Sequence, residues 1–239
     1  MMRAVKHTLT YLLLSYTLVA EDKPLPTAES TQATATPAPP TYMGRSLAPT
    51  MHWMGAAWLI RHKREREEAA QQMRQQLKLQ PGMTVCDMGC GNGYHTLPIA
   101  QAVGPDGKVY AVDIQPEMLR MLDEKAQQQS ITNIKSLLGT ETDPKLPEGS
   151  CDLILMVDVY HEFSKPDVML ATMRKALKPT GKIVLVEFRA EDPEVPIKPE
   201  HKMSKEQILK ELTANGYEPA ESYDILPWQH MMWFRVKAP

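Results

Sequence analysis

Asp87, Gly89, Gly91 and Gly93 fall within the run D-M-G-C-G-N-G, and Asp113 follows 20 residues after Gly93. Glycines at this density let a backbone turn sharply and let a bound molecule approach closer than a Cβ would permit. An acid at the end of the next strand is placed to accept hydrogen bonds from ribose hydroxyls. The pattern therefore points to a nucleoside-bearing ligand. A dinucleotide loop requires G-x-G-x-x-G, and Tyr94 stands where its third glycine would be. Asp87 would also repel a diphosphate at close range, whereas it suits a cationic group. An NAD-dependent oxidoreductase is accordingly the weaker reading of this loop.

A second set of residues has the chemistry of proton transfer. Asp158-Val159-Tyr160-His161-Glu162-Phe163 follows an apolar run over 152–157. An unperturbed imidazole titrates near neutrality, so His161 is the candidate general base, with Asp158 or Glu162 to orient it. The alternative is a histidine that only caps the loop. Glu187-Phe188-Arg189, His201-Lys202-Met203 and Trp228-Gln229-His230 are candidate substrate-wall segments, or else loop packing. His161, Glu162 and His201 are metal-ligating types, but they lack the two-turn H-E-x-x-H spacing, so no metal is expected.

The elements that position these residues alternate along the chain. Apolar runs at 84–88, 108–113, 134–138, 152–157 and 181–188 read as strands. Between them 94–103, 116–129 and 165–177 read as helices, the second opened by Pro116. Residues 204–215 form a further helix with Ser204 as N-cap and Gln207 three residues on. Runs at 217–223 and 231–237 share a short connection and pair antiparallel. Short apolar runs separated by helices are the signature of βαβ units, hence an α/β fold around a parallel sheet. Upstream, 51–77 reads as mainly helical, its mixed-sign block 61–68 being a solvated face. The Met- and Trp-rich start of that region either forms a lid over the site or packs in the core.

Taken together, these motifs resemble those of the class I S-adenosylmethionine (SAM) dependent methyltransferases. Val85 to Gly93 resembles their first motif, Ala111-Val112-Asp113 their second, and Gly149-Ser150-Cys151-Asp152-Leu153-Ile154 the entry to their fourth strand. Leu177-Lys178-Pro179-Thr180-Gly181-Lys182 is similar to their approach to the fifth. The similarity is greatest to the small-molecule group that includes the ubiquinone- and menaquinone-type enzymes. The resemblance implies a Rossmann-like three-layer sandwich with a seven-stranded, mostly parallel sheet and an antiparallel last strand. It implies SAM as cofactor, with Gly89 and Gly91 along its methionine and ribose parts. Asp87 would act on the methionine ammonium, directly or through water, and Asp113 on the ribose hydroxyls. The family often carries Gly-Asp after the third strand, the acid reaching the adenine amino group. This chain has Gly139-Thr140-Glu141, so Glu141 substitutes, with Asp143 as the alternative.

Composition limits the remaining readings. Of 239 residues, 43% are hydrophobic and 23% charged, which is globular and excludes wholesale disorder. A net charge of −2 gives no overall attraction for phosphate backbones, so no nucleic-acid partner is expected. Three cysteines are too few for a disulfide scaffold. Residues 1–22 run from a basic start through an apolar stretch to an acidic end, the layout of a signal peptide or N-terminal anchor. Residues 23–42, rich in Pro, Thr and Ala, are a linker; 43–78 a helical cap; 79–239 the methyltransferase domain. The chain is expected to be exported or membrane-tethered, and cytoplasmic if the signal goes unused. The expected activity is methyl transfer to a small or medium organic acceptor. An exported SAM-fold binding module without catalysis is the rival from another class.

Overall fold

A computed structural model describes residues 39–238. The signal or anchor expected over 1–22 and most of the linker lie outside the described residues. The described part opens with a hairpin of β1 (Thr41–Tyr42) and β2 (Arg45–Ser46). There follows a 3-10 stretch, Trp53–Ile60, then α1 (Arg64–Glu68) and α2 (Ala70–Gln76). The continuous helix expected over 51–77 is therefore broken. Ala69 takes the left-handed conformation (φ 48°, ψ 48°) and its N–H closes α1 on Glu65 O. The mixed-sign block is not a solvated face either. Arg64 and Glu68 are buried, with Arg64 Nε 2.7 Å from Glu68 Oε2 and Arg61 Nη2 2.5 Å from Glu68 Oε1. Mutual pairing satisfies charges that would otherwise keep this segment in water.

The body alternates as the pattern predicts: β3 (Thr84–Met88), α3 (Thr96–Val103), β4 (Lys108–Asp113), α4 (Pro116–Gln128) and β5 (Ile134–Leu138). Then come β6 (Cys151–Val157), α5 (Pro166–Ala176), β7 (Leu177–Phe188), α6 (Lys205–Ala214), β8 (Tyr217–Tyr223) and β9 (Gln229–Val236). Ser204 Oγ accepts from Gln207 N at 3.1 Å, the cap expected for α6. The strands form one seven-stranded sheet ordered β5-β4-β3-β6-β7-β9-β8, and only β9 runs against its neighbours. Alternate residues feed opposite faces. Cys86, Ile154 and Ile183 join the core under α5 and α6, while Val85, Leu155 and Val184 join the core under α2 and α3. Burial on both faces explains why these strands are continuous apolar runs, and helices on each side complete a three-layer α/β sandwich. Among the described residues no helix is long and apolar enough to cross a membrane.

The chain leaves β3 outward through β4 and β5, then returns to β6 on the other side of β3. That reversal opens a crevice at the carboxyl ends of β3 and β6, where ligands bind in open α/β sheets. The N-terminal hairpin is tied to the same body. Arg45 makes a fork to Glu211, Nε to Oε1 at 2.6 Å and Nη2 to Oε2 at 3.1 Å, and Tyr160 Oη donates to Glu211 Oε2 at 2.8 Å. Glu211 is fully buried. Arg45→Ala strands this carboxylate without its cation and is expected to lower the unfolding free energy by about 3–5 kcal/mol. Urea titration followed by circular dichroism measures it; an unchanged midpoint would mean the hairpin is not part of the folding unit.

Candidate active site

The glycine loop leaves β3 with Gly89 and Gly91 at positive φ, 67° and 52°. Close approach is demanded first by the protein itself. A Cβ on Gly89 would stand 2.3 Å from Val159 Cγ2, and one on Gly91 would stand 2.5 Å from Leu59 Cδ1. Asp113, at the end of β4, holds this loop in shape: its Oδ2 accepts from Gly91 N and its Oδ1 from Gln115 N, both at 2.9 Å. Burial raises the Asp113 pKa, and these backbone donors act against it. Asp87 sits beneath the loop rather than on the cavity wall, accepting from Thr96 Oγ1 at 2.6 Å. Burial pushes its pKa up to about 6, with the Thr96 hydrogen bond and the Arg64 charge pulling the other way.

The segment from Arg45 to Ile60 closes over this edge through main-chain groups. Trp53 N donates to Gln115 Oε1 at 2.7 Å, and Gln115 Nε2 donates to Met51 O at 2.9 Å. Asn92 Nδ2 donates to Ala56 O at 3.0 Å. At the far side Ala48 N and Arg45 Nη1 both donate to His161 O. The Met- and Trp-rich start is thus a lid, with Met51, Trp58 and Leu59 facing the cavity.

Beneath the lid lies one cavity of about 600 Å³. Gly89, Gly91, Asp113 and Glu141 line one part, and Asp158, His161, Glu162 and His201 another. Glu141 accepts from Ser164 Oγ at 2.8 Å, whereas Asp143 turns away to Lys145, 2.6 Å from its Nζ. Asp158 takes a left-handed backbone (φ 53°), and its Oδ2 accepts from Gln229 Nε2 at 2.7 Å while Oδ1 is buried without a hydrogen-bond partner. Burial and the charges of Glu68 and Glu187 raise its pKa well above the usual carboxylate range.

His161 is oriented by neither Asp158 nor Glu162. Its Nδ1 lies 2.6 Å from Glu187 Oε2, and Glu187 Oε1 accepts from Tyr160 N at 2.9 Å. A carboxylate only accepts, so an imidazole proton sits on Nδ1, and in the neutral ring Nε2 carries the lone pair and faces His201. Nε2 lies 3.0 Å from His201 Nδ1 and 4.0 Å from Glu162 Oε1. Burial lowers the His161 pKa, but the charge and hydrogen bond of Glu187 outweigh it and the net shift is upward. Burial brings Glu162 up to about 7 and, with the His161 charge, lowers His201. Of the other candidate wall residues, Phe188 faces the cavity, Arg189 donates to Asp224 O, and His230 pairs with Glu191. The sequence marks Glu187 as part of a candidate substrate-wall segment but not as the partner of His161; the part played by Gln115 carries no signal.

The comparisons with known proteins agree with this geometry. Residues 79–234 match the sequence profile described as a methyltransferase domain. The chain is similar to a ubiquinone/menaquinone biosynthesis C-methyltransferase of Burkholderia cenocepacia, 30% identical over 152 residues, 63% of this chain and 61% of that protein. It is also similar to nocamycin O-methyltransferase of Saccharothrix syringae, 32% identical over 105 residues, 44% of this chain and 38% of that protein. The matched segment thus spans about half the length of these curated relatives. The crystal structure of a SAM dependent methyltransferase from Aquifex aeolicus superposes with a TM-score of 0.74 at 24% identity, over 78% of this chain and 100% of that one. A profile match across most of the chain and a fold shared with a solved methyltransferase lead to one assignment: the chain belongs to the methyltransferase-domain family, with the class I methyltransferase fold.

Proposed function

We propose that the protein transfers the methyl group of SAM to a small or medium organic acceptor, releasing S-adenosylhomocysteine. The observation that carries this reading is the single cavity joining the glycine loop and Asp113 to His161, Glu162 and His201. Methyl transfer from a sulfonium is a direct displacement, so the protein's task is to hold donor and acceptor in line and to deal with any proton the acceptor loses. Gly89 and Gly91 lie along the methionine and ribose of SAM, Asp113 accepts from the ribose hydroxyls, and Glu141 serves the adenine amino group. Asp87, under the loop, acts on the methionine ammonium through its charge or through water. At the acceptor end His161 supplies the lone pair that draws the acceptor's proton, with Asp158 and Glu162 as its polar neighbours. The wall there also includes Phe163, Met169, Phe188 and Ile197, which supports an acceptor with an apolar body. A buried Glu187–His161 pair aimed at the cavity favours catalysis over a passive binding module.

Three outcomes test these roles. Asp113→Ala is expected to weaken SAM binding by about 1–3 kcal/mol, the scale of hydrogen bonds to a charged group. Calorimetry reads it directly, and unchanged affinity, or tight NAD binding by the unaltered chain, would overturn the cofactor assignment. His161→Ala is expected to leave SAM affinity unchanged and to reduce turnover by about 10²–10⁴-fold, measured as S-adenosylhomocysteine release with acceptors found by screening. Full turnover in that variant would make the histidine structural.

The third outcome concerns pH. A carboxyl whose folded pKa is raised to about 6 is protonated below that value, and its contribution to stability is complete below the unfolded value and lost as pH rises through about 6. Binding runs the other way, because the ammonium of SAM prefers the ionised form. SAM affinity is expected to rise with pH through about 6 and then level, with proton release on binding near that pH. Titration in buffers of different ionisation enthalpy measures the proton; a flat profile would place the ammonium away from Asp87.

A further inference from the structure

The sequence gives His161 and Glu162 no metal-binding spacing, but the fold brings in a third ligand from 40 residues away. We propose that His161 Nε2, His201 Nδ1 and Glu162 Oε1 form a binding site for one divalent first-row transition-metal ion, open toward the acceptor end of the cavity. The three atoms are separated by 3.0 Å (His161–His201), 3.9 Å (His201–Glu162) and 4.0 Å (His161–Glu162). In the plane of the three atoms, the equidistant point lies about 2.1 Å from each, within the roughly 2.0–2.2 Å of zinc–nitrogen and zinc–oxygen bonds. Two imidazoles and one carboxylate with remaining positions open is a recurrent first-row metal set.

The surroundings match what such a site requires. A metal-bound imidazole usually donates its other N–H to a carboxylate that fixes its ring, and His161 Nδ1 does so to Glu187 at 2.6 Å. Glu187 is itself fully buried and pinned by Tyr160 N. Glu162 Oε1 accepts from Met51 N at 3.3 Å, which orients that carboxylate and leaves it a second lone pair. The two carboxylates, Glu162 and Glu187, carry the charge that a divalent cation balances. Among the described residues this is the one group of three or more such side chains with converging ligand atoms.

The inference rests on the methyltransferase reading for its role and stands on its own as a binding site. With the ion bound, the His161 lone pair is spent on the metal and the ion takes over the task assigned to it. An acceptor hydroxyl on an open position gives up its O–H proton to solvent. The oxygen lone pair then forms the C–O bond as the S–CH₃ bond breaks, and sulfur keeps that electron pair as S-adenosylhomocysteine.

The test uses the untagged full chain, stripped with a chelator, desalted and titrated with Zn²⁺ or Co²⁺ by calorimetry, with metal content and the visible Co²⁺ spectrum as further readouts. One ion per chain is expected, lost in His161→Ala and in His201→Ala, and about 10–100-fold weaker in Glu187→Gln. Circular dichroism and SAM affinity, unchanged across the variants, establish that each is folded. An unaltered chain that takes up no ion on titration, or histidine variants that bind it equally well, would overturn the site. SAM binding without metal binding would defeat this inference alone; metal binding without SAM binding would defeat the methyltransferase reading and leave the site in place.

Discussion

Burying carboxylates is the constraint on which this structure depends. Among the described residues Glu68, Asp87, Asp113, Glu187 and Glu211 are all buried. An isolated buried charge costs several kcal/mol, so each must find donors, and here most donors come from distant parts of the chain. Glu211 in α6 takes Arg45 from the N-terminal hairpin, Glu187 in β7 takes Tyr160 N and His161, and Asp113 in β4 takes the N–H of Gly91. Asp87 and Glu68 use nearer partners. The demand for donors therefore fastens the hairpin to the sheet, the post-β6 loop to β7, and the glycine loop to β4. Apolar packing builds the sandwich; these acids position what sits on its edge.

Acids on the cavity wall and just beneath it give the cavity its electrostatic character. Asp87, Asp158 and Glu162 all have raised pKa values, and in each case burial is the leading cause. A crevice that holds carboxylates against their solvation favours a cationic ligand, because the ligand's charge replaces the water they lost. A sulfonium with an ammonium group meets that need, and a diphosphate does not. The mismatch at Tyr94 and the acidity of the walls thus argue in one direction by independent routes.

Most strands were legible from the sequence because a strand buried on both faces must be a continuous apolar run, as in Leu153–Met156 and Ile183–Val186. The candidate cofactor edge was legible as a place in the fold because its glycines and acids are packed into short motifs, and the fold brings Gly89, Gly91 and Asp113 to one cavity. What was not legible depends on partners remote in sequence. Arg64 and Glu68 pair locally, four residues apart, but looked like solvent-facing charges because what covers them, His95 beside Arg64 included, comes from further along the chain. The break at Ala69 was hidden for a related reason: alanine is the best helix former, and tertiary pairing overrode its preference. The sequence points to Asp158 or Glu162 as the orienter of His161 because they are its neighbours in the chain, whereas Glu187 lies 26 residues on, beyond α5 and at the end of β7.

The lid is attached mainly through backbone groups: Trp53 N and Met51 O to Gln115, Met51 N to Glu162, and Ala48 N to His161 O. Main-chain groups are the same whatever side chains flank them. Residues 49–60 can therefore change their apolar surface through evolution, and with it the shape of the acceptor chamber, while the latch that seats the segment persists. Opening the latch means breaking several such bonds together as a local unfolding event. The residence time of whatever lies beneath is then set by the cohesion of the cover as much as by its own contacts. Diversification of substrate and retention of cofactor are in this way assigned to different chemical parts of one short stretch of chain.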